Sequence, residues 1–257
     1  MGSQSYLSRS FEHRLLSLLI ALALVAAPLG VWVTQARASG LAQTDLTLVV
    51  TSSADGGDNN KGDGVCNDGS GACTLRAAIE EANAYPGRET INFNIRGAGN
   101  SCPSLVTIPA ASTLELSDDS GVVIDGYSQC NAKPNDQPVA GNAVIKLEVK
   151  GPETVGSRGL WVHSANNTVK GLALYGWDIQ VYVSGKTTTG NLIQGNFIGT
   201  NASNSVLTRF AGASGEGIRF HHDGIGNTIG GPLPQDRNIV SGSAGDGIGL
   251  IGLEANN

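Results

Sequence analysis

The chain is 257 residues long with a formal net charge of −6, 36 glycines, a single methionine and only 5% aromatic residues. That acidity excludes the basic footprint of a nucleic-acid binder and the basic amphipathic stretch of a membrane-surface protein. The length suits one single-core domain, and the composition suits a turn-rich β protein better than a helical one.

In chain order, the first segment reads as an address rather than as fold. Arg9 and Arg14 precede an apolar run from Leu15 to Val33 that is broken by Pro28 and Gly30. Ala36 and Ala38 then occupy the small positions of a cleavage site, so residues 1–38 are expected to be a secretory signal peptide. The run is longer than a usual signal core, which leaves an uncleaved anchor as the alternative. Cleavage takes three Arg and one Glu with it, leaving 13 basic against 21 acidic side chains. The mature chain is expected to be secreted or at a cell surface of bacterial type, with no membrane attachment.

All four cysteines, Cys66, Cys73, Cys102 and Cys130, lie beyond this segment and are expected to be oxidised. Three connectivities are open to them. Cys66–Cys73 and Cys102–Cys130 are favoured because each pair brackets a loop-like stretch.

Residues 39–100 read as an N-terminal cap. A strand-like run, Leu46–Thr51, leads into a loop rich in Asp, Asn and Gly. Asp55, Asp58, Asn60, Asp63 and Asp68 offer oxygen ligands of the kind Ca²⁺ takes. The spacing is one residue out of register with an EF-hand loop and the closing Glu is missing, so a solvated Asx/Gly turn is the preferred reading and calcium the alternative.

The helix signal comes next. Thr74 is an acceptable N-cap, and Leu75, Ala78, Ile79 and Ala82 share one face at helical spacing. Arg76, Glu80, Glu81 and Asn83 point elsewhere, and Pro86-Gly87 stops the run. The spacing predicts a helix over 74–85, too short to be stable alone. Leu75, Ile79 and Ala82 are therefore expected to plug the open apolar end of the downstream fold.

Residues 101–257 carry a repeat. Asn-x-(Val/Ile)-x-Gly begins at Asn167, Asn191, Asn227 and Asn238, with an Asn-less relative at Val122. Val169 and Ile193 lie 24 apart; Ile145 lies 24 before Val169 and matches only by spacing, and Ile124 lies 21 before Ile145. A period in the low twenties, built of short alternating strands and Gly/Asn corners, marks a β-solenoid. The four asparagines are read as corner and ladder residues, since Asn tolerates left-handed corners and can hydrogen-bond along a stack. Residues 200–217 read as a surface insertion. The chain ends on apolar residues without a cap, so more chain or a cap from elsewhere is expected.

These residues resemble a known family. "CTLRAAIEEANA", Cys73–Ala84, is similar to the Cys-Ser-Leu-Arg-Glu-Ala-Ile motif near the N-terminus of many bacterial exported and surface proteins, with Thr74 for Ser and Ala77 for Glu. "NLIQGNFIGTN", "NTIGG" and "RNIVSG" are similar to the repeats downstream of it in right-handed parallel β-helix proteins of pectin-lyase-like architecture. The resemblance covers residues 46–257 and implies an exported, all-β parallel β-helix with a short N-terminal capping α-helix. It implies no chemistry, because the family's members are mostly large surface proteins without an assigned activity. Ala77 removes the capping-box partner three residues after Thr74.

Parallel β-helices also carry polysaccharide lyases and hydrolases, which need acidic groups gathered on one outer face and a basic residue. Stepping 24 positions from Asp125, Glu153 and Asp178 lands on Val149, Trp177 and Ala202, so no acidic ladder emerges at that period. His221 and His222 beside Asp223 are the best local constellation, but strand neighbours face opposite sides. Trp161, Trp177 and Tyr182 are read as packing rather than as a sugar-stacking strip. The glycosylation sequons at Asn166 and Asn201 are read as chance. The expected function is a non-catalytic structural, adhesive or glycan-binding module with no catalytic residue and no cofactor. Its expected partner is a polysaccharide or another surface molecule. The alternatives are a lyase or glycoside hydrolase acting on acidic polysaccharide, and a calcium-dependent binding module.

Overall fold

The computed structural model describes residues 45–185, 187–203, 205, 215–221 and 225–252. The expected signal peptide lies outside them. Among the described residues, strands form three parallel sheets, and a single α-helix falls between the first strand and the second. No helix there is long and apolar enough to cross a membrane.

The first sheet runs β1 (Thr47–Val50), β2 (Glu89–Phe93), β5 (Val122–Asp125), β8 (Thr168–Lys170), β11 (Leu192–Gln194) and β14 (Thr228–Ile229). The second runs β3 (Val106–Pro109), β6 (Leu147–Lys150), β9 (Ala173–Tyr175), β12 (Phe197–Ile198) and β15 (Ile239–Val240). The third runs β4 (Leu114–Leu116), β7 (Arg158–Val162), β10 (Ile179–Ser184), β13 (Glu216–His221) and β16 (Ile248–Ile251). From β2 onward the chain visits the first, second and third sheets in strict rotation, and each strand pairs in parallel with the next visit to its own sheet.

The alternation along the strands explains this arrangement. In β3 and β4 every second residue is buried, and the inward set is aliphatic. Ile91, Ile124, Val169, Ile193 and Ile229 are successive lateral partners in the first sheet. Leu160, Val181 and Ile218 do the same in the third. Side chains from all three sheets share one core. Each fully buried aliphatic contributes roughly 1.5–3 kcal/mol.

Ile145 does not join the column expected of it. The lateral partner of Ile124 is Val169, and Ile145 packs with Ala173 and Phe197 in a separate cluster. Between β5 and β6 the chain leaves the sheets for a 3₁₀ turn (Gly126–Ser128) and an antiparallel bridge, Lys133 to Val144. The laterally matched asparagines and their partners are separated by 24, 36, 42 or 45 residues. Surface loops absorb the difference at little cost, so no fixed period describes the chain. A uniform 24-residue step therefore misses the true lateral neighbours of the acidic residues. Asp125 lies beside Lys170, not Val149, and the two form an ion pair of 2.9 Å.

The helix, α1, spans Leu75–Ala82, shorter than predicted. Thr74 caps it by accepting from the Ala77 N–H. Its C-terminal end tightens because the N–H groups of Ala84 and Tyr85 both turn back to the Glu81 carbonyl before Pro86. Leu75, Ala78, Ile79 and Ala82 join the main core beside β1, β2 and β4. Glu81 contradicts its expected outward position. It is buried, and its carboxylate accepts the backbone N–H groups of Gly62 and Gly64. Those donors compensate the burial of its charge.

Cys66 is bonded to Cys73 and Cys102 to Cys130. Two disulfides suit an oxidising compartment.

Candidate functional site

The N-terminal loop is organised from within. Asp55 pairs with Arg76 at 2.9 Å and accepts from the Ala111 N–H. Asp58 accepts from the backbone of Asn60 and Asn67, while its own N–H donates to Glu80. Asp63 accepts from the Val65 N–H and the Asn60 side-chain amide. Ser70 donates its hydroxyl and its N–H to Asp68, holding that carboxyl below its ordinary range. The carboxylates considered as calcium ligands thus serve as turn-forming acceptors. Among the described residues, no group of three or more His, Cys, Asp and Glu side chains is disposed to hold a metal ion.

Arg76 ties this loop to the sheets. Beyond Asp55 it donates to the carbonyls of Ser112 and Thr113, just before β4. One planar guanidinium therefore joins loop, helix and third sheet.

The four predicted ladder asparagines fall into two ladders. Asn167, Asn191 and Asn227 are linked in series. The Asn167 N–H donates to Oδ1 of Asn191, and the Asn191 N–H donates to Oδ1 of Asn227. Asn238 belongs to a second ladder, where its Oδ1 accepts from the Asn196 N–H. Sequence reasoning missed Asn196. It begins "NFIG", the repeat with one residue deleted, and tolerance of that deletion would have found it.

The outer face of the third sheet holds the most varied chemistry. Trp161 of β7 and Tyr182 of β10 are lateral partners pointing outward, flanked by Glu115 of β4 and Arg219 of β13. Their rings lie 6.1 Å apart. Three residues before Trp161, the Arg158 guanidinium lies 4.4 Å above the Tyr182 ring and 5.7 Å from the Trp161 ring. His163 stacks on Trp161 with ring centroids 4.9 Å apart. The Trp161 indole N–H donates to Ser184 at 2.8 Å. These contacts hold Trp161 in place over the sheet beside a packed Tyr182.

Trp177 is the exception among the three aromatics singled out. It is only 1% exposed, and a side-chain carbon at Gly151 would come within 2.5 Å of its ring. Glycine at 151 and 159 lets the indole lie directly on backbone, which makes it core. Tyr182 is covered rather than bare, being 7% exposed beneath Arg158 and its neighbours. Trp161 is the half-exposed ring.

The buried carboxylates around this face, Glu216 and Asp178, are engaged. Glu216 pairs with Arg219 through both of its oxygens, and this holds the guanidinium proton still more firmly. Asp178 accepts from the backbone N–H groups of Gly156 and Gly215. Glu115 Oε1 lies 2.5 Å from His163 Nε2. His221 stands at the end of β13, its ring 6.2 Å from Tyr182. His222 and Asp223 lie outside the described residues, as does most of the 200–217 insertion.

Compared with protein-family models, curated proteins and solved structures, the chain matches none.

Proposed function

We propose that the three sheets are the sides of a right-handed parallel β-helix, plugged at its start by α1, in a secreted or cell-surface protein that binds glycan without transforming it. The strict rotation through three parallel sheets around one core supports the winding. The asparagine ladders support it too, since stacked amides need successive turns in register. The disulfides fit export.

The observation that carries the binding function is the half-exposed Trp161 ring on the outer face of the third sheet, backed by its lateral partner Tyr182. Adjacent strands lie about 4.8 Å apart, close to the length of one pyranose ring. A sugar chain crossing the strands meets Glu115, then Trp161, then the Arg158 guanidinium that covers Tyr182. The apolar face of a pyranose packs on an indole, and the sheet holds that indole without an ordering cost on binding. Binding is favoured over lyase or hydrolase chemistry because Glu216 and Asp178, the buried carboxylates beside this face, are committed to Arg219 and backbone N–H groups. A glycan array probed with the whole chain and with Trp161→Ala tests this. Retention of a polysaccharide class by the parent and its loss in the variant is the expected result. No retention of any glycan contradicts it, and so does cleavage of a retained one.

A further inference from the structure

We infer that the glycan taken by this face is acidic, with a sugar carboxylate seated on Arg158; this rests on the glycan-binding reading above. The two arginines of the face are in opposite situations. Arg219 is neutralised by a two-point pair with Glu216. Arg158 has no such partner: among the described residues, no hydrogen bond or salt bridge engages its guanidinium. Its plane instead lies over the Tyr182 ring at 4.4 Å. Stacking uses the π face of a guanidinium and leaves its N–H edge free, and that edge matches the two oxygens of a carboxylate.

The surroundings reinforce the selection. Tyr182 is pinned between its lateral neighbours Trp161 and Arg219, so it holds Arg158 at a fixed height above the sheet. Arg158 and Trp161 belong to one short strand and stand 5.7 Å apart, guanidinium to ring. A uronic acid resting on Trp161 therefore projects its carboxylate toward Arg158. The protein as a whole is acidic, so a polyanion meets net repulsion from it and is registered on this face by Arg158, the arginine there that no described carboxylate pairs. Trp161 supplies affinity for a sugar ring of any charge, and Arg158 supplies the preference for acid.

The test is titration calorimetry of the full mature chain with an oligomannuronate and with the same oligosaccharide after reduction of its carboxylates to alcohols. The parent protein is expected to bind the acid at least about tenfold more tightly, the loss typical of one charge-assisted hydrogen-bonding site. Raising the salt concentration narrows that gap. Arg158→Gln abolishes the preference, leaving both ligands bound at the weaker level, and Arg158→Lys restores only part of it. Trp161→Ala weakens both ligands by the same factor. Unchanged melting temperatures keep each variant interpretable. Equal binding of acid and alcohol by the parent, or a preference that survives Arg158→Gln, overturns the inference and leaves glycan binding standing. Binding of neither ligand removes both.

Discussion

Asn167 and Asn191 stand 24 residues apart in sequence and side by side in the fold, the backbone N–H and the amide Nδ2 of Asn167 both donating to Oδ1 of Asn191. Asn191 is itself buried and passes the pattern on, donating its N–H and its Nδ2 to Oδ1 of Asn227. Its Nδ2 also donates to the Ser164 carbonyl. Each amide thus replaces the backbone pairing that a corner interrupts.

Asn191→Ala leaves the Asn167 donors and the Ser164 carbonyl without these partners inside the fold. The expected loss is roughly 2–4 kcal/mol of unfolding free energy, from orphaned buried polar groups. Asn238→Ala, on a half-buried residue of the second ladder, costs less. Urea titrations of the two variants give the comparison, and equal losses would argue that burial does not set the ladder's worth.

The α1 region makes two separable contributions. Ile79→Ala removes buried aliphatic volume at a site only 2% exposed and is expected to cost about 2–5 kcal/mol. Arg76→Lys keeps the charge but loses the fork that reaches Asp55, Ser112 and Thr113 together. It is expected to loosen the 55–68 loop with little effect on the sheets. Amide exchange distinguishes the outcomes. Faster exchange at Asn59, Gly62 and Asp68 with slow exchange kept at Ile124 and Val169 is the predicted pattern.

The disulfides should rank by the loop each closes. Cys66 and Cys73 are 7 residues apart, whereas Cys102 and Cys130 are 28 apart. Loop-closure entropy makes the longer bridge worth about 1 kcal/mol more. Replacing each pair with alanine and comparing denaturation midpoints checks the order.

Glu89 gives the fold a pH dependence. Among the described residues neither carboxylate oxygen has a hydrogen-bond partner, and the side chain is fully buried at the start of β2. Burial first, then the nearby Asp118, Asp45 and Glu81 charges, pushes its pKa from 4.5 up to about 7. A carboxyl with a raised folded pKa holds its proton in the native state after the unfolded chain has released it. Stability from this group is therefore complete below about pH 4.5 and is lost as pH rises to about 7, by roughly 2–3 kcal/mol. Glu89→Gln is expected to flatten that decline, so that the variant melts above the parent at pH 8. A parent whose melting temperature rises between pH 5 and pH 7.5, while Glu89→Gln shows no such rise, would show the opposite sign.

Much of the architecture was legible in particular residues. Alternating aliphatics and Gly/Asn corners announce short stacked strands, and Thr74 with the Leu75–Ile79 stripe announces the helix. The parallel pairing of Val169 with Ile193 is implied by their common repeat. Illegible was the excursion of residues 126–146, because a loop of arbitrary length leaves no periodic trace; it displaced Ile145 from the column assigned to it. The inward turn of Glu81 was hidden because its partners, Gly62 and Gly64, are backbone donors from a distant loop. The candidate site stayed hidden for a related reason. Trp161 and Tyr182 become neighbours only through the β7–β10 register, and Arg158 reaches Tyr182 from three residues before Trp161 in the chain.

The parallel register between neighbouring strands of each sheet is the relationship on which the rest depends. Lys170 and Gln194 are outward lateral partners on β8 and β11, so Lys170→Cys combined with Gln194→Cys is the direct probe. A bridge between positions 170 and 194 is predicted in a non-reduced digest, with both native disulfides intact and no loss of melting temperature. Free thiols at both positions in a folded protein, or a bridge to a native cysteine instead, would contradict it.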